Sequence, residues 1–144
     1  MKIHTRTLLL FVFICLLSPS KALASSLVLV VSNKNPTSSL TKEQVIDIYM
    51  GRYNTLPNGL SVRTTDLVDS HGSNHDFYDQ MVKRTEKQME AYWARLLFST
   101  RAKPPIKFNS SSEVIAHLES SANNIGYIPE ALVTNNLKVI YKIE

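Results

Sequence analysis

Residues 27–49 read LVLVVSNKNPTSSLTKEQVIDIY, and the fold class can be argued from this stretch. Its first part, Leu27–Val31, is a short apolar run rich in β-branched residues, which is typical of a strand buried on both faces, as in a parallel sheet. After a polar loop, Thr41–Gln44 has the pattern of a capping box, and apolar residues follow it at helical spacing. The stretch therefore predicts a strand, a loop and a helix, the unit from which α/β domains are built.

The same alternation continues along the rest of the chain. Further strands are predicted, from short apolar or alternating runs, at residues 60–67, 125–128 and 137–143. Capping-box patterns at Thr85–Gln88 and Ser110–Glu113 predict the starts of two helices, and residues 77–82 contain another apolar helical face. The segment 103–109 is compatible with a loop or with a short strand. We expect an α/β domain with a mainly parallel sheet flanked by helices.

The first 24 residues have the three parts of a secretory signal peptide. Lys2 and Arg6 are basic, residues 8–17 form an apolar run, and Ala22–Ala24 is an A-x-A cleavage site. The apolar run is too short to cross a bilayer as a helix, which takes about 20 residues. We therefore expect a signal peptide over residues 1–24, a single domain over residues 25–144, and a periplasmic or secreted location.

The charge and cysteine content of the predicted mature chain exclude several classes of protein. Removing residues 1–24 takes away three of the 16 basic residues and none of the 12 acidic ones, so the formal net charge falls from +4 to +1. A basic surface for phosphate backbones is then not indicated, and we expect no nucleic-acid partner. The one cysteine, Cys15, lies in the predicted signal peptide, which leaves no disulfide, thiolate zinc site or cysteine nucleophile.

No sequence motif predicts catalysis, a metal or a cofactor. The nucleophile elbow, the Walker loop and the dinucleotide fingerprint are all absent from the sequence, and the carboxylates are scattered without an apolar setting that would shift a pKa. His71, His75 and Asp79 have a spacing found in some zinc sites, but no fourth ligand is evident and solvated helix residues are the simpler interpretation. We expect a protein that is not an enzyme and that holds no metal and no cofactor.

Two polar loops are candidate ligand sites. The loop Asp69–Asn74 leads from a predicted strand into a predicted helix, where outward N–H groups, the helix dipole and the hydroxyls of Ser70 and Ser73 would suit an anion. The alternative is that one of these serines only caps the helix. The loop Asn33–Pro36 follows the first strand, and α/β sheets bind ligands beyond the carboxyl ends of their strands. Its alternative is a solvated loop without a ligand.

An aromatic stripe on the third predicted helix also allows two interpretations. Tyr92 and Trp93, followed by Leu96 and Leu97, could form a shelf for a ring-shaped ligand. A helix that packs this stripe into the core is the simpler explanation. We therefore expect Trp93 and Leu97 to be buried.

Three segments of the chain carry a family pattern. Residues 30–36 and 40–52 are similar to the "VVNKxNP…LSxEQLxxIFxGK" stretch of phosphate-type periplasmic binding proteins of ABC transporters. Residues 92–98 resemble that family's "YWxRLxFxG" run, and residues 122–128 resemble its "pgaIGYv" segment. The resemblance spans nearly the whole predicted mature chain. It implies a single lobe of a type II periplasmic-binding-protein fold, mostly the second of the family's two lobes.

The resemblance also implies a ligand loop. The family's second lobe contributes an "R-x-D-G-S-G-T…F" loop, and Asp69, Gly72 and Ser73 fit its Asp, its second Gly and its Thr. Leu67 stands at the position of the arginine. The candidate oxyanion ligands are Ser70, His71, Gly72, Ser73 and Asn74, with Asn33 and Lys34 expected to flank them.

Two functions are compatible with this resemblance. The first is a periplasmic binding protein for phosphate or a related oxyanion, acting in ABC-type uptake or sensing with an ABC permease or another periplasmic partner. The second is a periplasmic protein-interaction module that kept the lobe and lost solute binding, which Leu67 at the arginine position favours. Because a lone lobe leaves its ligand face open, we also expect a weak homodimer or a partner subunit that covers this face.

Overall fold

The computed structural model describes residues 26–99 and 102–144. The predicted signal peptide, residues 1–24, lies outside the described residues. The described chain forms one five-stranded sheet with helices packed against it, which confirms the predicted α/β class. Within these two ranges, no helix is both long enough and apolar enough to cross a membrane.

The elements follow the predicted order, with one added strand. The strands are β1 (Leu27–Ser32), β2 (Arg63–Leu67), β3 (Ile106–Phe108), β4 (Asn124–Pro129) and β5 (Leu137–Lys142). The helices are α1 (Lys42–Tyr49), α2 (Ser73–Val82), α3 (Glu86–Leu97) and α4 (Ser111–Ser120), and a short 3-10 helix covers Glu130–Leu132. The segment 103–109, which the sequence allowed to be a loop or a short strand, contains the short strand β3.

Two of the three predicted capping boxes form as expected. Thr41 and Thr85 each accept a hydrogen bond from the backbone of a glutamine three residues later, whose side chain bonds back to the backbone of the threonine. The prediction is wrong for α4. Ser110 accepts from the N–H of Glu113, but the Glu113 carboxylate accepts from the N–H of Asn109, one residue too early for a capping box.

The sheet order is β3-β2-β4-β1-β5, and β1 is its unusual member. β2 is parallel to β3 and β4, whereas β1 is antiparallel to both of its neighbours, β4 and β5. Four strands therefore run in one direction and β1 runs in the other. Every residue of β1 is buried, as predicted, but its expected parallel pairing is wrong. When both faces of a sheet are covered, an inner strand is buried on both sides whether it runs parallel or antiparallel to its neighbours. The apolar run of β1 therefore does not reveal the direction of the strand.

The two faces of the sheet are covered by different helices. On one face, α4 packs closely against β4 at Gly126. A Cβ at Gly126 would lie 3.3 Å from the side chains of Val114 and Leu118 of α4, and 2.2 Å from Oγ1 of Thr65 in the neighbouring strand β2. The next residue, Tyr127, points to the opposite face because strand side chains alternate. Its ring is stacked on that of Phe77 of α2, with centroids 4.1 Å apart. The core on that face is an aromatic cluster, formed by Tyr49, Phe77, Tyr78 and Tyr127.

The stripe on α3 is only partly buried. Trp93 is 8% exposed and packs against Gly51, where a Cβ would lie 2.8 Å from the indole ring. The prediction that Trp93 is a core residue is confirmed, whereas the prediction for Leu97 is wrong, since Leu97 is 56% exposed. Only Met89 and Trp93, one turn apart, are buried on α3, and Leu97 is the last residue of the helix, beside the exposed Phe98. The helix therefore packs on the core through a narrower strip than its sequence pattern suggests.

Candidate functional site

The loop 69–72 lies at the carboxyl end of β2, where the chain turns into α2. Gly72 has a left-handed backbone, with φ of +78°, which glycine adopts at little cost. This turn directs the start of a ten-residue helix to the edge of the sheet. The strand, loop and helix predicted for this segment are confirmed.

The carboxylate of Asp69 caps α2. Its Oδ1 accepts from the backbone N–H of His71 at 3.2 Å and of Ser73 at 3.0 Å, and its Oδ2 accepts from the Ser73 hydroxyl at 2.8 Å. Burial alone raises the pKa of Asp69, but the hydrogen bonds from Ser73 and His71 outweigh it and hold the pKa below its usual value. The helix is capped by this aspartate rather than by either serine, and Ser73, one of the candidate ligands, is already engaged.

Other donors in the loop remain available. Within the part of the chain that the structure describes, the backbone N–H groups of Asn74 and His75 donate to no protein atom, because the first bond of the helix ladder runs from Asp76 to Gly72. The Ser70 hydroxyl has no partner there either, and His71 is exposed. Two unpaired amides, a hydroxyl and an imidazole therefore lie at the positive end of α2, where Ser70, His71 and His75 are exposed and Asn74 is buried.

Among the residues that the structure describes, no arginine bonds to this loop. Leu67 is fully buried in the core, so the position that carries an arginine in the family pattern brings no charge to the surface. Arg63 lies at the other end of β2, where its guanidinium donates to the carbonyl of Pro104 at 3.2 Å. The negative charge of Asp69 is left without a cationic side chain bonded to it.

The predicted position of Asn33 and Lys34 beside this loop is wrong. Because β1 is antiparallel to β4 and β4 is parallel to β2, the carboxyl end of β1 lies at the sheet edge opposite the carboxyl end of β2. The backbone N–H of Asn33 donates to the carbonyl of Asn136 at 2.8 Å, far from α2 in the fold. The rule about carboxyl ends holds only for strands that run the same way.

Sequence reasoning missed a buried carboxylate. Asp66 of β2 is 4% exposed and accepts hydrogen bonds from the hydroxyls of Tyr78 at 3.0 Å and Tyr127 at 3.2 Å. Burial raises its pKa to about 6, although the two tyrosines and the ammonium of Lys107 act in the opposite direction. The expectation that no carboxylate has an apolar setting is therefore wrong. The available signal was an acidic residue inside a predicted strand, one residue before its end.

Asp66 forms part of the floor of a cavity of about 280 Å³ between α2, α3 and the segment that leads into β3. Asn74, Tyr78 and Trp93 also line this cavity. Among the described residues, no three histidine, cysteine, aspartate or glutamate side chains lie together as a metal site requires. The spacing of His71, His75 and Asp79 does not produce such a cluster.

Comparison with known proteins gives a fold but no close relative. No protein-family model matches the chain, and no curated protein matches it. An ABC-type phosphate transport receptor from Vibrio cholerae matches with a TM-score of 0.59 and 21% identity, over 80% of this chain and 45% of the receptor. The chain has the fold of a single lobe of a periplasmic binding protein. This confirms the predicted architecture.

Two further solved structures give the same result. One is a putative phosphate ABC transporter substrate-binding protein with bound phosphate from Clostridium perfringens (TM-score 0.59, 18% identity, 80% of this chain and 44% of that one). The other is PstS from Borrelia burgdorferi (TM-score 0.59, 18% identity, 81% and 46%). The chain thus spans less than half the length of the structures it matches. None of the three is named as an enzyme.

Proposed function

We propose that this protein is a solute-binding lobe, not an enzyme, that holds phosphate or a related oxyanion at the start of α2 in ABC-type uptake or sensing. The observation that carries the proposal is the pair of free N–H groups, of Asn74 and His75, at the carboxyl end of β2 in a lobe with this fold. The helix dipole makes such a terminus attractive to anions. Ser70 and His71 add a hydroxyl and an imidazole beside it.

The bound anion is expected to be held weakly. An arginine that made two charge-assisted bonds to it would add about 1.5–3 kcal/mol for each bond, and the buried Leu67 supplies neither. Asp69 adds repulsion, since two like charges about 5 Å apart repel by about 1–3 kcal/mol at a protein surface. Affinity should therefore be low and should fall further as salt is added.

Replacing Asp69 by asparagine tests the proposal. The amide oxygen can still accept from the N–H groups of His71 and Ser73, so the cap remains while the repelling charge is removed. We expect Asp69→Asn to bind sulfate roughly 5- to 100-fold more tightly than the wild type, from the lost repulsion. Chemical-shift titration of the amides of Asn74 and His75 measures this, and sulfate is the better probe because phosphate changes its own charge near neutral pH.

The matched control is Asp79→Asn. It makes the same change of charge within α2, about 9 Å along the helix from its start, which is close to the screening length at physiological salt. Sulfate affinity should hardly change in this variant. If neither the wild type nor Asp69→Asn shows a shift at Asn74 and His75, the oxyanion proposal is wrong.

A second candidate function is a protein-interaction module without a solute. It is favoured by the Asp69 carboxylate, which already takes the donors of Ser73 and His71, and by the missing arginine. In this case the face at the carboxyl end of β2 would contact an ABC permease, another periplasmic protein or a second copy of the chain. Sedimentation equilibrium tests the second copy, since a homodimer doubles the mass at high protein concentration.

We also propose that the protein is exported and that cleavage follows Ala24. The A-x-A pattern at Ala22–Ala24, after a ten-residue apolar run, supports this. Mass spectrometry of the protein from the periplasm should find Ser25 at its N-terminus. Recovery of an intact N-terminal segment that still begins at Met1 would contradict it.

A further inference from the structure

The cavity beside Asp66 adjoins the anion loop at Asn74 but has a different character. Its floor is buried and includes the Asp66 carboxylate, and the side chains of Met89 and Trp93 form an apolar wall. Glu86 and Glu90 of α3 stand exposed at its rim. Its volume of about 280 Å³ lies near the lower end for small-molecule sites, which start at about 300 Å³.

Two residues of this cavity carry buried polar atoms that no protein group satisfies. In the described part of the chain, Oδ1 of Asn74 and Nε1 of Trp93 have no hydrogen-bond partner, although the two residues are only 6% and 8% exposed. Buried polar atoms are normally paired, and an unpaired one is costly. Both residues line the cavity. A bound molecule with suitable groups would remove this cost.

The charges around the cavity favour a positive ligand. Among the described residues that line the cavity, Asp66 on the floor and two glutamates on the rim are opposed by one cation, Lys107. Lys107 lies next to Asp66 in the register of β2 and β3, but it forms no ion pair with Asp66 within the described residues. A cavity with an apolar wall, three carboxylates and an indole ring suits an organic cation better than an anion or a neutral molecule.

We propose that this cavity binds a small organic cation, a primary amine with a short apolar body. The ammonium group would donate to the Asp66 carboxylate and to the amide oxygen of Asn74, and the apolar body would lie against Met89 and Trp93. A hydroxyl on that body would accept from Nε1 of Trp93. The cation site does not depend on the oxyanion proposal. Asn74 contributes its side chain to the cation site and its backbone N–H to the oxyanion site.

The chain provides its own reporter for the test. Trp93 is the single tryptophan of the sequence, so its fluorescence and its indole N–H resonance report on this cavity alone. We expect 2-phenylethylamine to change both signals saturably in the wild type. The neutral analogue 2-phenylethanol should bind at least about tenfold more weakly, because it lacks the charged hydrogen bonds.

Two variants and one control complete the test. Asp66→Asn should weaken binding of the amine by about tenfold or more and leave binding of the alcohol unchanged. Asp76→Asn, the control, removes an exposed carboxylate of α2 that does not line the cavity and should change neither. Ala94→Phe fills the rim from an exposed helix position, so the protein should still fold and should bind neither compound.

Each other outcome overturns the proposal. Equal binding of the amine and the alcohol would make the cavity an apolar slot without charge selection. Amine binding that survives Ala94→Phe would place the amine elsewhere, and this result remains decisive even if Asp66→Asn fails to fold. No change of either Trp93 signal with either compound would mean that the cavity holds water only.

Discussion

Replacing Phe77 by alanine is expected to lower the free energy of unfolding by about 3–5 kcal/mol. The Phe77 ring is fully buried and stacks on Tyr127 at 4.1 Å, with Tyr49 at 4.5 Å and Tyr78 at 5.2 Å. Its removal leaves a cavity in the middle of this aromatic cluster, which joins α1, α2 and the sheet. Denaturant unfolding should show a lower midpoint with an unchanged slope.

Phe98→Ala is the matched control for this prediction. It removes the same side chain from a position that is 91% exposed, so the free energy of unfolding should change by less than about 0.5 kcal/mol. A loss below about 1 kcal/mol in Phe77→Ala would mean that the cluster is not packed as described.

Asp66 should make the protein less stable as the pH rises. Its pKa is about 6 in the folded protein and close to 3.8 in the unfolded chain, so the folded state binds the proton more tightly. The stabilising contribution of this proton is complete below about pH 4 and is lost as the pH rises through 6. At 1.36 kcal/mol for each pKa unit the whole contribution is about 3 kcal/mol, and the free energy of unfolding should fall by about 2–2.5 kcal/mol between pH 4 and pH 7, because the unfolded chain is already partly ionised at pH 4.

Asp66→Asn isolates this effect, because asparagine does not titrate. We expect the difference in unfolding free energy between the wild type and this variant to change by about 2–2.5 kcal/mol over that pH range. The groups facing Asp66 are Tyr78, Tyr127, Lys107 and Glu86. Burial and the nearby carboxylate raise the pKa of both tyrosines well above 10, so they stay neutral throughout. Parallel stability curves for the two proteins would contradict the prediction.

The part of the fold that could be predicted from sequence is the part set by local signals. The threonine caps of α1 and α3, the apolar run of β1 and the glycine before α2 each act within a few residues. The direction of β1 was not predictable in this way, because it depends on pairing with strands about 100 residues away. Asp66 was missed for the same reason, since its partner Tyr127 is 61 residues distant.

The candidate site shows the same division. A helix after the loop was predicted correctly, although it begins at Ser73, inside the segment 69–74 that was assigned to the loop. The place of Asn33 and Lys34 was not predicted correctly, because it followed from an assumed strand direction. The hydrogen bonds that Asp69 accepts from the N–H groups of His71 and Ser73 were in principle predictable. An aspartate that bonds the backbone two residues later is a common turn, and here it extends the same bonding to Ser73.

The position of β1 between β4 and β5 also sets the order in which this sheet can assemble. Val28 pairs with Ile128 of β4 on one side and with Lys142 of β5 on the other. β1, the first strand of the described chain, therefore cannot complete its pairing until β4 and β5 have been made. Contacts between residues so far apart in sequence form slowly, and until they form both edges of an apolar strand are open to pairing with other chains. A chain that ended before Leu137 would leave the β5 side of β1 uncovered for its whole lifetime. Protection of β1 from aggregation therefore depends on β5, a strand that is made long after β1.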